Sequence, residues 1–432
     1  MIGNSPLYRV RGEKGIFIIN PDNGGWVIVN LLGDRILSLW EEGHKIKKIS
    51  SILSEQYNRP FEEIHEDVRT FFKHLEKQNF FSSGIPGDGD FSGLYLEITG
   101  RCNLTCKYCY NSPPVPEDIP EDIAISLIDQ AKELGARYLV IGGGEPLLYK
   151  KIWNLLEYAT PVIQTGLVTN GILLTPENCK RLSEMDNLSI QLSLEGVEAE
   201  IHEAMRGEGS FQPAWQGLQN LIESGLGKKT TLCFTLNRYN AGHFPEIVEK
   251  AGELNIGSIL VQPLGKVGKA IECWDEIAPG HSESIPALEY LGRQDFPVYG
   301  ILPRTIKEIL FSHKIRTRCP IGEKFNITYR GDVYPCSQLS LPEFRLGNIN
   351  NTPLDKILNS EKLKSLQEIP RKRIGQIPEC SSCPWRMLCA GGCPASSILE
   401  NGDINSLDPH CDLIRHFFEE TAKELAESGG KA

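Results

Sequence analysis

The chain has 432 residues, 40% hydrophobic and 23% charged, a globular composition long enough for two or three domains and a large buried core. A net charge of −11 argues against a nucleic-acid partner, because a phosphate-binding surface would tip the balance to basic. No apolar run approaches the ~18 residues of a membrane span and no basic stretch leads into an apolar one at the N-terminus, so a cytoplasmic protein with no membrane partner is expected.

The first elements are a β-hairpin and three helices. Gly15 to Asn20 and Gly25 to Asn30 are apolar runs flanking the turn-rich Pro21-Asp22-Asn23-Gly24. Helical spacing follows in Leu31, Ile36, Leu37 and Trp40, then in Ile46, Ile49, Ile52 and Leu53, then in Ile64, Val68, Phe71, Phe72 and Leu75. This pattern predicts a winged-helix-like domain over residues 1–84. Winged helices often bind DNA, but these residues hold 11 Lys+Arg and 11 Asp+Glu, and a DNA reader should not be neutral. The stretch from Trp26 to Phe81, with its opening Val29-Asn30-x-x-Gly33-Asp34-x-Ile36-Leu37 and its close Asp67-Val68-x-x-Phe71-Phe72-x-x-Leu75, resembles the PqqD-like peptide-recognition element. That resemblance implies that the leader of a ribosomally made precursor peptide adds a strand to the hairpin edge. Residues 82–92 read as a flexible linker by composition.

After the alternating run Leu94 to Ile98 come Cys102, Cys106 and Cys109 in one short loop. Three thiolates at this spacing can hold three irons of a four-iron cluster and leave the fourth open. The alternative is a zinc knuckle, which usually takes four ligands, and no His or fourth Cys follows nearby. Thirteen cysteines in a reducing compartment also suit metal ligation better than disulfides. The loop, with aromatic Tyr108 before the last Cys, resembles the CxxxCxΦC signature of the radical S-adenosylmethionine (SAM) superfamily. Membership implies that the amino and carboxylate groups of SAM chelate the open iron, and that one electron splits SAM into a 5′-deoxyadenosyl radical.

From Gly93 to about residue 300, apolar runs alternate with helical stretches: Leu94 to Ile98, Tyr138 to Ile141, Val162 to Val168, Leu188 to Leu194, Thr230 to Leu236 and Ile259 to Gln262. Such alternation predicts a parallel sheet of about six βα units. The resemblance makes it an α/β partial (β/α)6 barrel over residues 93–300, with ligand-binding groups at the C-terminal strand ends. Gly142-Gly143-Gly144-Glu145-Pro146 resembles the family's GGEP element, which holds the SAM amino group. Thr169-Asn170-Gly171 resembles its TNG element. Ser193-Leu194-Glu195-Gly196 has Glu where the family usually has Asp, with Ser193 near the ribose. His202 and Arg206-Gly207 match HxxxRG, whose Arg can pair with the SAM carboxylate. Asn237 and Gln262-Pro263-Leu264-Gly265 resemble elements facing ribose and adenine. The SAM contacts implied by resemblance are thus Tyr108, Gly143, Gly144, Glu145, Asn170, Ser193, Arg206 and Gln262.

Seven cysteines follow: Cys319, Cys336, Cys380, Cys383, Cys389, Cys393 and Cys411. One or two zinc sites would be the simple reading, but seven is not a multiple of four. Their order and spacing resemble the Cys-rich SPASM domain, here residues 301–432, which carries two auxiliary [4Fe–4S] clusters. The family pattern assigns Cys380, Cys383, Cys389 and Cys411 to the distal cluster and Cys319, Cys336 and Cys393 to the proximal one. Phe325 stands where some relatives supply another proximal ligand, so an iron there is left open unless Cys273 closes it. An open iron would favour thioether formation through a substrate thiolate. Ser337, following Cys336, stands where sulfatase-oxidising relatives often have Asp. Phe325 to Tyr329 and Val333-Tyr334 form a predicted hairpin.

Together these resemblances imply a maturase with three [4Fe–4S] clusters and SAM, an external electron donor such as flavodoxin or ferredoxin, and a precursor peptide bound by its leader. Its product is a crosslink, thioether or carbon–carbon, in the peptide core. The alternatives are action on a small molecule or tetrapyrrole, oxidation of a protein side chain, and a non-catalytic electron carrier.

Overall fold

The computed structural model describes residues 5–81, 91–111, 113–300, 302–311 and 321–430, so Cys319 and nearly all of the linker over residues 82–92 lie outside the described residues. The N-terminal part is a three-stranded antiparallel sheet, β1 (Tyr8–Arg11), β2 (Ile16–Ile19) and β3 (Trp26–Val29), followed by α1 (Leu31–Glu41), α2 (Ile46–Tyr57) and α3 (Phe61–Lys77). The expected hairpin is β2–β3. The strand the sequence reading missed is β1, too short and too polar to show a period.

The central sheet is built from β4 (Gly93–Thr99), β5 (Tyr138–Gly143), β6 (Gln164–Thr169), β7 (Leu188–Ser193), β8 (Thr230–Leu236) and β9 (Ser258–Pro263), neighbouring one another in chain order and all parallel. Helices α4 (Glu121–Glu133), α5 (Ile152–Val162), α6 (Pro176–Ser183), α7 (Ala199–Arg206), α8 (Phe211–Glu223) and α9 (Phe244–Glu253) fill the connections. Each buries one face; in α4 the buried residues are Ala124, Leu127, Ile128 and Ala131, three and four apart. The six predicted strands all form, and only the third differs noticeably, because Val162 ends α5 instead of opening β6.

This sheet does not stop at the barrel. β10 (Val298–Tyr299) adds at one side, while β11 (Lys324–Ile327) pairs in parallel with β4 and leads through β12 (Asp332–Tyr334) to β13 (Gly347–Asn348), giving ten strands. The predicted C-terminal hairpin is β11–β12, and it continues the barrel sheet. Backbone pairing therefore fixes the cysteine-rich segment to the strand that feeds the first cysteine loop.

The N-terminal sheet is also docked on the rest. All four residues of β2 are buried, because Ile16 and Ile18 face the core beneath α1–α3 whereas Phe17 and Ile19 face the main core. Trp385 is 1% exposed at this seam. It stacks on Phe418 at 5.0 Å and lies 6.0 Å from Phe17 and 5.8 Å from Tyr8, and its indole N–H donates to Glu419 at 2.9 Å. The carboxylate of Glu419 also accepts the Tyr8 hydroxyl, and Arg386 pairs with Asp22 across the same seam. Trp385→Ala is expected to cost about 3–5 kcal/mol by cavity formation. Denaturant unfolding of the whole chain measures it, and an unchanged midpoint would show that the seam carries no stability.

Candidate active site

The loop holding Cys102, Cys106 and Cys109 leaves the C-terminal end of β4 and is gripped on three sides. The end of β5 is one: Glu145 N–H donates to Arg101 O at 2.7 Å and Gly144 N–H to Thr99 O at 2.8 Å. A Cβ on Gly144 would run into the Arg101 carbonyl, so this glycine is required for the close approach of the two backbones. The end of α7 is the second, where Met205 O accepts from Lys107 N–H at 2.8 Å. The third is the turn at Gly268, with φ of +52°, where Lys269 N–H donates to Cys109 O at 3.1 Å.

Most of the side chains singled out in the sequence meet here. Glu145 is fully buried. Its Oε1 accepts Thr169 Oγ1 at 2.8 Å and Leu147 N–H at 3.1 Å, and its Oε2 accepts Asn170 N–H at 2.8 Å. Burial pushes this carboxyl up, against the opposing pull of those donors. The Asn170 amide donates to Asn103 of the cysteine loop at 2.8 Å. Arg206, buried at the end of α7, pairs with Glu195 at 2.9 Å and donates to the Tyr108 hydroxyl, which in turn donates to Glu195. The second Glu195 oxygen accepts Thr235 N–H at 3.0 Å, which ties β7 to β8. His202 accepts Glu195 N–H through Nδ1 at 3.3 Å, and burial, with Arg206 nearby, pulls it down to about 3, so it is neutral. Ser193 is half-buried and Gln262 exposed, and neither side chain makes a hydrogen bond among the described residues. Asn237 is buried, capping its own turn through Tyr239 and Asn240.

Each of the three thiols feels the charge of at least one other or of Arg206. Burial raises the pKa of each, that of Cys109 to about 11, and Cys106 and Cys102 add to the rise at Cys109. The Arg206 guanidinium opposes the rise at all three. Three thiols in one short loop with a buried cation near them fit an anionic iron–sulfur cluster, whose thiolates need that positive neighbour.

At the other end of the chain the thiols also feel one another's charge. Burial pushes Cys389 up to about 12 and Cys411 up to about 11; Cys383 and Cys411 add to the first shift, Cys383 and Cys380 to the second. Cys336 is raised to about 11 by burial, with Cys393 contributing. Among the described residues no three His, Cys, Asp or Glu side chains lie close enough to hold a single metal ion. Phe325 is a core residue 5.7 Å from Phe91, and Cys273 lies against the first cysteine loop, with its Sγ 3.7 Å from Lys107 O. Beside the C-terminal thiols a cavity of about 690 Å³ opens from the ends of β8 and β9, lined by Leu236, Gln262, Trp274, His410, Cys389 and Cys393.

Two features escaped the sequence reading. Glu97, 2% exposed on β4, accepts Tyr110 Oη at 3.2 Å and Asn326 Nδ2 at 3.0 Å, and Asn326 also donates to Ser340 at 3.0 Å. The other is Arg373, buried among the C-terminal cysteines. A lone Glu in an apolar alternation was the available signal for the first; for the second there was none.

Burial raises the Glu97 carboxyl above its ordinary 4.5. A raised pKa in the folded state gives stability that is present below about pH 4.5 and is lost as pH climbs through the folded value. Glu97→Gln is therefore expected to be more stable than the parent at pH 8 by a margin that shrinks toward pH 5. Paired denaturant titrations at the two pH values check this, and a margin independent of pH would contradict it.

Three family profiles match the chain: the Radical SAM superfamily over residues 96–251, the iron–sulfur cluster-binding SPASM domain over 319–384, and coenzyme PQQ synthesis protein D (PqqD) over 15–80. The chain is similar to the mycofactocin maturase MftC of Mycolicibacterium smegmatis, 27% identical over 333 residues, covering 74% of this chain and 82% of that protein. It is 27% identical over 341 residues to the AdoMet-dependent heme synthase of Nitratidesulfovibrio vulgaris, covering 73% of this chain and 90% of that one. In fold it resembles Streptococcus suis SuiB bound to the precursor peptide SuiA, with a TM-score of 0.60 at 17% identity, covering 93% and 97% of the two chains. No described helix is long and apolar enough to cross a membrane. The matched profiles imply SAM and [4Fe–4S] clusters as cofactors, and together they are the signature of the radical SAM/SPASM peptide maturases with an N-terminal PqqD domain, which are enzymes.

Proposed function

We propose that the chain binds the leader of a ribosomally made precursor peptide on β3 and installs a crosslink, a thioether in preference to a carbon–carbon bond, in the peptide core. The observation that carries this reading is the free side of β3. Among the described residues β3 pairs only with β2, and a groove of about 410 Å³ runs between it and α3, lined by Ile28, Leu32, Ile64, Val68 and Phe71. An extended peptide gains backbone hydrogen bonds along such an edge and side-chain contacts in such a groove. Leu32, 40% exposed, is part of its wall. The heme synthase likeness offers a tetrapyrrole as the second substrate class, but a flat macrocycle has no use for a strand edge.

In this reading Cys102, Cys106 and Cys109 hold the cluster that binds SAM, Cys380, Cys383, Cys389 and Cys411 hold the distal auxiliary cluster, and Cys319, Cys336 and Cys393 hold the proximal one. Bound there, the first cluster and SAM supply a 5′-deoxyadenosyl radical that removes hydrogen from the peptide. The protein's own work is placement. Arg206 supports the thiolates electrostatically while Glu195 and Tyr108 keep it from swinging away. Gly143 and Gly144 bring the β5 end onto the loop, and Ser193 and Gln262 keep uncommitted polar groups at the strand ends for SAM. The cavity beyond β8 and β9 takes the peptide core and shields it from solvent, with thiols of the C-terminal clusters in its wall. An external flavodoxin or ferredoxin supplies the electron.

Anaerobic reconstitution should give about twelve irons per chain, and Cys106→Ala should remove 5′-deoxyadenosine formation while leaving about eight. Titration of the chain with synthetic leader peptides should saturate, with Phe71→Ala weakening the complex roughly tenfold, the equivalent of about 1.4 kcal/mol. No saturable binding of any leader would sink the peptide reading, and no 5′-deoxyadenosine from the parent would sink the radical one.

A further inference from the structure

Two arginines are buried among cysteines in this chain, and they are balanced differently. Arg206 is paired with a carboxylate at 2.9 Å. Arg373, fully buried, donates to Ser397 Oγ at 2.6 Å, Ser406 O at 2.7 Å and Gly392 O at 3.3 Å, all neutral acceptors, and its Nε–H is buried with no partner among the described residues. Asp408 faces it but is committed elsewhere, accepting Cys393 N–H at 2.5 Å and His410 N–H at 2.8 Å. A guanidinium kept from water with an orphaned donor is strongly unfavourable unless further negative charge is brought close.

Thiols stand around it. Cys380, Cys389 and Cys393 are the other groups whose charge it feels. The backbone between the last two is turned by three successive left-handed residues, Ala390, Gly391 and Gly392, with φ of 56°, 76° and 78°. That turn lies on the arginine stem: a Cβ on Gly391 would meet its Cγ at 3.6 Å. The protein thus holds a strained non-glycine residue and an unpaired cation at one point, between two cysteines assigned to different clusters.

We propose that Arg373 is the built-in counter-charge of the auxiliary clusters whose ligands Cys393, Cys380 and Cys389 lie around it, and that it raises the reduction potential at that end of the chain so that a cluster there accepts an electron. This rests on the ligand assignment above. Reduction adds one electron and one negative charge to an already anionic group, so a nearby fixed cation stabilises the reduced state more than the oxidised one. In turnover the electron would come from the substrate radical as its new C–S or C–C bond closes, the S–H or C–H bond of the partner breaking and its proton passing to solvent; in the test it comes from dithionite. The guanidinium keeps its protons in both states.

The test uses the full chain with Cys102, Cys106 and Cys109 all changed to Ala, reconstituted anaerobically, and follows the C-terminal cluster signals by EPR-monitored redox titration. Arg373→Gln should lower the equilibrium constant for reduction at least tenfold, a 59 mV fall for one electron, while Arg373→Lys should stay near the parent. If Arg373→Gln loads no iron and Arg373→Lys does, the requirement for charge is upheld by a different readout. An unchanged potential in Arg373→Gln overturns the proposal and leaves the ligand assignment standing, as does failure of Arg373→Lys to load iron. A parent triple variant without iron overturns the ligand assignment and this inference together.

Discussion

A positive charge buried beside three thiols is the constraint on which the rest of the molecule turns. Arg206 sits at the last residue of α7, and its guanidinium is held by Glu195 at the end of β7 and by Tyr108 inside the cysteine loop. Removing Arg206 or Glu195 leaves the charge of the other stranded in the interior. The pairing therefore fixes three things at once: how far α7 descends, where β7 ends, and how the loop lies across the strand ends. Glu195, with one methylene more than the Asp usual in the family, reaches both Arg206 and the β8 amide of Thr235.

Glycines complete that placement by what they lack. At Gly144 and Gly268 the backbone of the cysteine loop comes within contact of another main chain, and no side chain would fit. The GGEP segment is thus first a packing device against the loop, with the Glu145 carboxylate spent on β6 and its own turn.

The C-terminal segment is joined to this centre by two means. β11 extends the barrel sheet beside β4, and the polar chain Tyr110, Glu97, Asn326 and Ser340 runs from the residue after Cys109 to the loop after Cys336. At the far side Trp385 packs the same segment against β1 and β2. The N-terminal domain is consequently seated on the cysteine-rich segment, with β3 at the outer side of its sheet.

The sequence by itself determined the strand and helix succession, the cysteine loop and the motifs at each strand end, because period, turn residues and thiol spacing are local properties. It also disclosed the winged-helix-like start, although β1 is too short to leave a period. What only the tertiary structure decided are relations between distant residues. That Arg206 answers Glu195, that Glu97 meets Asn326 across 229 positions, that Phe17 shares a core with Trp385, and that Arg373 lies unpaired among cysteines follow from packing. Burial and charge balance belong to the assembled interior, and a linear string of side chains carries no record of which of them will be shut away from water together.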